Sequence, residues 1–161
     1  ADGFSWWVSR MTTQNALFDM VRIDHFRGLE AAWEIPAYEE TAMNGQWVAA
    51  PGCPLLKTIK AALPNITLIA EDLGIITEEV NALRAKYHLP GMKILQFAFS
   101  GQADNPYLPQ NIEPDSVVYT GTHDNDTTVG WYATLDEQQR SHLYNHLQQN
   151  HSEGYVVDMP T

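Results

Sequence analysis

Along the chain, apolar residues gather in two kinds of run. Four runs are strand-like: Met20–Phe26, Thr67–Leu73, Met92–Phe99 and Ser116–Thr122. The last three are nearly continuous in apolar residues, the pattern of parallel strands covered on both faces. Between them the period changes to that of a helix. Leu55, Leu56, Ile59 and Leu63 recur at helical spacing until Pro64-Asn65 stops them. Thr77 reads as an N-cap with Glu78 and Glu79 in the first turn, where the helix dipole favours acids. Val80, Leu83 and Tyr87 then form an apolar face that ends at Leu89-Pro90-Gly91.

A later helix is expected from Thr134, since Thr134 and Glu137 have capping-box spacing, with Leu143 and Leu147 as its stripe. Ser5–Phe18 reads as a weaker opening helix, because Thr12, Thr13 and Asn15 are poor helix formers. Ser100–Asp115 holds three prolines and reads as loop. Alternating strands and helices predict an α/β fold with a parallel sheet.

Polar residues interrupt this pattern at the strand ends. Asp24-His25 closes the first strand, Glu71-Asp72 the second, and His123-Asp124 follows the fourth. In parallel α/β folds the C-terminal strand ends face one side, so these carboxylates are expected to converge on one surface. Two chemistries suit them: glycosyl transfer between two carboxylates, and metal-assisted hydrolysis with Asp24, His25, Glu71, Asp72, His123 and Asp124 as ligands. Arg22 counts against a metal, because two residues before Asp24 it faces the same side and competes with a cation. It suits a nucleophile, since a nearby positive charge favours a carboxylate.

Each of these residues also has a plainer reading. Arg22 and Asp24 make a structural ion pair, Glu71 a solvated strand end, and Asp126 a cap for the turn that follows. Arg27 pairs with a nearby acid. The five tryptophans read as packing residues, and His142, His146 and His151 as an exposed helix face. Cys53, the only cysteine, reads as a loop residue.

Composition narrows the class. At 161 residues and 44% hydrophobic, the chain reads as one globular domain. A net charge of −11 argues against nucleic acid or an anionic membrane surface as partner. No apolar run approaches the ~20 residues of a membrane span. The single cysteine and the absence of an opening signal segment suggest a cytoplasmic location. An alanine, not a methionine, at position 1 suggests a fragment or a processed product.

Three motifs sharpen the picture: RIDHFRG (residues 22–28), AEDLG (70–74) and TGTHDNDT (120–127). Together with WEIP (33–36), Asn44-Gly45, PGMKILQF (90–97) and NPYLP (105–109), in this order, they resemble the amylomaltases, the 4-α-glucanotransferases of glycoside hydrolase family 77. The resemblance covers roughly residues 5–132. It implies a partial (β/α)8 barrel in which the four strands are the fourth to seventh, so that residues 1–161 are an incomplete C-terminal part of the catalytic barrel. It implies Asp24 as nucleophile, Glu71 as general acid/base, Asp124 as third carboxylate, Arg22 orienting Asp24, and His123 binding sugar. His25 reads as a supporting hydrogen-bond residue and is a candidate substrate contact. The implied substrates are α-1,4-glucans, with no cofactor. Glu71 has to start protonated, and for a retaining reaction the Asp24 and Glu71 carboxyl groups should lie about 5–5.5 Å apart. Half a barrel leaves open edges at Met20–Phe26 and Ser116–Thr122, which favour self-association and an inactive isolated piece.

Overall fold

A computed structural model describes residues 2–149 of the chain. The chain divides into two compact units, Ala1–Met92 and Lys93–Thr161, of mixed α/β content.

The first unit opens with helix α1 (Ser5–Leu17), in which Thr12 and Thr13 turn their hydroxyls back onto the carbonyls of Val8 and Ser9. This satisfies the polar side chains that make the segment a poor helix former. Strand β1 (Val21–Ile23) follows, then a 3-10 turn at Phe26–Leu29. An antiparallel hairpin comes next, β2 (Ala31–Glu34) with β3 (Gln46–Ala49). Helix α2 (Gly52–Ala62) leads to strand β4 (Leu68–Ala70), and helix α3 (Glu78–Lys86) follows it.

β1 and β4 pair in parallel, Val21 with Leu68, Arg22 with Ile69 and Ile23 with Ala70. Every residue of β4 is buried, as expected of a strand covered on both faces. Phe26, Leu56, Ile59, Leu68, Val80 and Leu89 form the centre of the core. Each such side chain contributes roughly 1.5–3 kcal/mol by leaving water, so the helical stripes of α2 and α3 hold the β1–β4 pair.

The chain passes into the second unit within β5 (Gly91–Ile94), which pairs with β6 (Ser116–Tyr119). Helices α4 (Thr128–Thr134) and α5 (Glu137–Gln149) follow. The segment between β5 and β6 is mainly loop, with short 3-10 turns at Leu95–Phe97 and Pro109–Asn111. Buried Asn105 organises it: its Nδ2 donates to the Phe97 carbonyl and the Ser100 hydroxyl, and its Oδ1 accepts from the Tyr107 backbone.

Several expectations are corrected. All four strands are shorter than their apolar runs; after β1 a 3-10 turn takes over and buries Phe26 without a ladder, and after β5 another begins at Leu95 and buries none of its residues. The β2–β3 hairpin was not expected, and its Trp33 and Trp47 are exposed, facing each other edge to face at 5.5 Å. Trp6 too is exposed and not packed in the core. Thr77 stands at the N-cap of α3 without a side-chain cap bond. The capping box of α5 is Asp136 with Gln139, not Thr134 with Glu137: each side chain accepts from the other's backbone N–H, at 2.8 and 3.0 Å. Thr134 instead closes α4 by donating to the Trp131 carbonyl.

His142 and His146 are half-buried rather than on an exposed face. His146 meets the Phe99 ring at 5.7 Å, and the His142 ring sits where a Cβ on Gly101 would come within 2.5 Å of it. Gly101 also has φ +90°, so glycine is required there twice over. His151 lies outside the described residues.

Cys53 lies in the first turn of α2, not in a loop. Its sulfur accepts from Lys86 Nζ at 3.0 Å and is 3.3 Å from the Tyr87 hydroxyl. The Tyr87 hydroxyl, and after it the Lys86 ammonium, holds the Cys53 thiol below the ordinary cysteine range. A lowered thiol keeps more thiolate as pH falls, and alkylation requires thiolate. Iodoacetamide is therefore expected to label Cys53 at a pH where an unperturbed thiol has slowed. Lys86→Met should move that fall-off to higher pH, and identical profiles would refute the assignment.

Candidate active site

The ladder between β1 and β4 continues one step past their ends. The Glu71 backbone N–H donates to the Ile23 carbonyl at 3.0 Å, and Phe26 N–H donates to the Glu71 carbonyl at 3.1 Å. Asp24 and Glu71 thus leave adjacent, parallel strands at the same level. His25 has φ +47°, a left-handed conformation that histidine visits more readily than most residues. That conformation ends β1, starts the 3-10 turn and aims the His25 backbone N–H at Glu71 Oε2, 2.7 Å away. Leu73 N–H donates to the other oxygen, Oε1, at 3.1 Å. The Glu71 carboxylate is held at both oxygens by backbone.

Asp24 is held differently. Arg22 Nη1 lies 2.9 Å from Asp24 Oδ1, so the alternation along β1 brings the pair together as expected. The Asp24 side chain is 67% exposed and that of Arg22 only 27%. The carboxylate is therefore open to solvent on the side away from Arg22. Arg22, Asp24, His25 and Glu71 are gathered in the first unit.

His123 and Asp124 belong to the second unit, on the turn after β6. His123 Nε2 is 3.3 Å from Asp124 Oδ1, and both side chains are exposed. The turn is built by Asn125, whose Oδ1 accepts from the Thr122 backbone and hydroxyl. Asp126 accepts from the Thr127 backbone, while the N-cap of α4 is Thr127, which accepts from Gly130 N–H. Gln96 ties this turn to the end of β5 by donating to the Asp126 carbonyl.

Two residues have roles that sequence reasoning missed. Asp72, only 7% exposed, accepts from Met92 N–H at 2.7 Å and pairs with Arg84, joining the end of β4 to β5 and α3. Among the described residues Arg27 does not pair with an acid: its Nη1 donates to the Ile75 carbonyl and its guanidinium lies 4.1 Å over the Trp47 ring. A signal for Asp72 was available, since Arg84 falls on α3 among the residues that face the sheet. None marked Trp47 as the partner of Arg27, because the hairpin that carries it was not foreseen. Among the described residues, no three or more His, Cys, Asp or Glu are grouped as a metal centre would require.

The arrangement suits covalent chemistry at a carbon: one open, arginine-paired carboxylate beside a second one fixed by backbone donors. The chain is similar to known proteins in sequence and in structure. The family model of glycoside hydrolase family 77, described as 4-alpha-glucanotransferase, matches residues 1–160. A 4-alpha-glucanotransferase of potato (Solanum tuberosum), named as chloroplastic/amyloplastic, is 51% identical over 146 residues, which are 91% of this chain and 25% of that protein. One from Thermus thermophilus is 51% identical over 148 residues, 91% of this chain and 30% of its own length. The solved structure of an amylomaltase from Streptococcus agalactiae in complex with acarbose superposes with a TM-score of 0.84 at 37% identity, covering 94% of this chain and 31% of that one. The chain therefore spans about a quarter to a third of the relatives it matches. Matched along almost its whole length, and carrying its paired carboxylates on adjacent strand ends, the chain belongs to glycoside hydrolase family 77, the family of the 4-alpha-glucanotransferases.

Proposed function

We propose that this chain is the catalytic segment of a 4-alpha-glucanotransferase that moves α-1,4-glucan segments to the 4-hydroxyl of an acceptor glucan with retention. The observation that carries the reading is the pairing of an open Asp24, bound to Arg22, with a Glu71 tethered one residue away. Asp24 attacks the anomeric carbon while Glu71 protonates the departing 4-oxygen, leaving a glycosyl-aspartate. The acceptor hydroxyl then attacks the same carbon as Glu71 takes its proton, and Asp24 is released. Arg22 orients Asp24. His123 and Asp124 hydrogen-bond ring hydroxyls, contacts that tighten as the ring flattens toward an oxocarbenium ion. His25 adds a substrate contact.

In this reading β1, β4, β5 and β6 are strands four to seven of a (β/α)8 barrel, with the β2–β3 hairpin as an excursion before α2. The parallel β1–β4 pair and the alternation of strand and helix support it. The outer edges of β1 and β6 then require partners, from the rest of a longer polypeptide or from a second copy. The isolated piece is inactive, because the intermediate needs a closed, water-poor cleft.

The test is incubation of the full-length protein with maltotriose, followed by chromatography of the sugars. Glucose together with longer maltooligosaccharides is the expected outcome. Glucose and maltose with nothing longer would make the protein a hydrolase, and unchanged maltotriose would refute the proposal.

A further inference from the structure

We infer that Arg27 is a positioning residue that sets where the acid Glu71 stands relative to Asp24; the inference rests on the function proposed above. Asp24 and Glu71 lie just beyond the last paired residues of β1 and β4, Ile23 and Ala70. Their placement therefore depends on what holds the two segments that follow. One link is the bond from His25 N–H to Glu71 Oε2. The next link outward is Arg27, three residues after Asp24, whose Nη1 donates to the carbonyl of Ile75, four residues after Glu71. Between Glu71 and Ile75 the backbone turns through Gly74 at φ +84°, where a glycine adds no stiffness of its own. The Arg27 bond fixes that turn from outside.

The same guanidinium stacks on Trp47 of β3, so a third segment, the hairpin, holds the arginine in place. Its two partners are a carbonyl and an indole ring. A guanidinium can serve both at once, donating in its plane while stacking through its face. An ammonium serves the two less well, because it has no flat face to lay on the ring and its donors share no plane.

If Arg27 acts on the acid, its loss should hurt most where the leaving group needs a proton. Maltotriose needs one; α-maltosyl fluoride does not, since fluoride departs unassisted. In the full-length protein, Arg27→Met should lower kcat on maltotriose by roughly 10- to 100-fold, the scale of an ångström-sized misplacement. KM should stay within about twofold, because uniform binding is untouched. First-turnover fluoride release from α-maltosyl fluoride should fall about tenfold less. Arg27→Lys should lie between, and Trp47→Phe, which keeps an aromatic face, should stay near wild type.

Equal losses on both donors would overturn the inference, as would an unchanged kcat on maltotriose. Should Arg27→Met fail to fold, Arg27→Lys and Trp47→Leu give the same comparison. A wild-type protein inactive on maltotriose would instead refute the proposed function, and this inference with it.

Discussion

Asp24→Asn is expected to cut disproportionation of maltotriose by the full-length protein by about 10⁴-fold or more, the scale seen when an attacking group is removed. That is about 5.5 kcal/mol of transition-state stabilisation. Asparagine has nearly the same shape and leaves the β1 backbone undisturbed, so thermal stability should change little. The Asp24 side chain is mostly exposed and its partner Arg22 is partly so. An ion pair this open to solvent contributes at most about 1 kcal/mol to folding. Chemistry and stability are thereby separable at this position. A variant that lost only a few-fold in rate would show that Asp24 is not the nucleophile. One that lost rate and melting temperature together would point to a structural ion pair.

Glu71→Gln should cost roughly 10²–10⁴-fold on maltotriose, the usual range for a general acid. Its signature is the dependence on leaving group. With α-maltosyl fluoride the first turnover should release fluoride at close to the wild-type rate. The second step then stalls, because no base takes the acceptor's proton, and the intermediate accumulates. Mass spectrometry should find one maltosyl group on the protein, carried by Asp24. A glutamine cannot replace the Glu71 carboxylate without disturbance, since both oxygens accept backbone N–H bonds from His25 and Leu73. One of those donors would face an amide nitrogen or lose its partner, so a modest stability loss of about 1–3 kcal/mol is expected as well. Equal rate losses on both donors would mean that Glu71 only shapes the site.

Much of this was legible in the sequence where an element is repetitive or chemically marked. The stripes of Leu55, Leu56, Ile59 and of Val80, Leu83 mark helices because burial repeats at the helical period. Arg22 and Asp24 meet because strands alternate, and Asp24 and Glu71 stand side by side because each ends one of two paired strands. The illegible parts share a physical cause: one local pattern fits two conformations. Phe26 continues the apolar run of β1 but is buried from a 3-10 turn, and no period separates the two states. The β2–β3 hairpin lacks a tight two-residue turn signal; residues 35–45 connect its strands, and its Trp33–Trp47 pair is recognisable only across the ladder. Asp136 competes with Thr134 as a helix start, and both have an acid or amide three residues on. The reciprocal bonds of Asp136 with Gln139 decide it. Arg27 and Asp72 act through partners far along the chain, which spacing alone does not reveal.

The parallel pairing of β1 with β4 also governs when the site comes into being. His25 and Glu71, whose bond places the two carboxylates, are 46 residues apart. Closing a loop of that length costs conformational entropy before any contact repays it, and such non-local pairings form slowly. The β2–β3 hairpin and helix α2 close over far shorter spans and form first. During synthesis Asp24 therefore emerges long before Glu71 and waits, solvated, until β4 arrives. The site is a late product of folding, and its carboxylates meet only when the long-range ladder that carries them has closed.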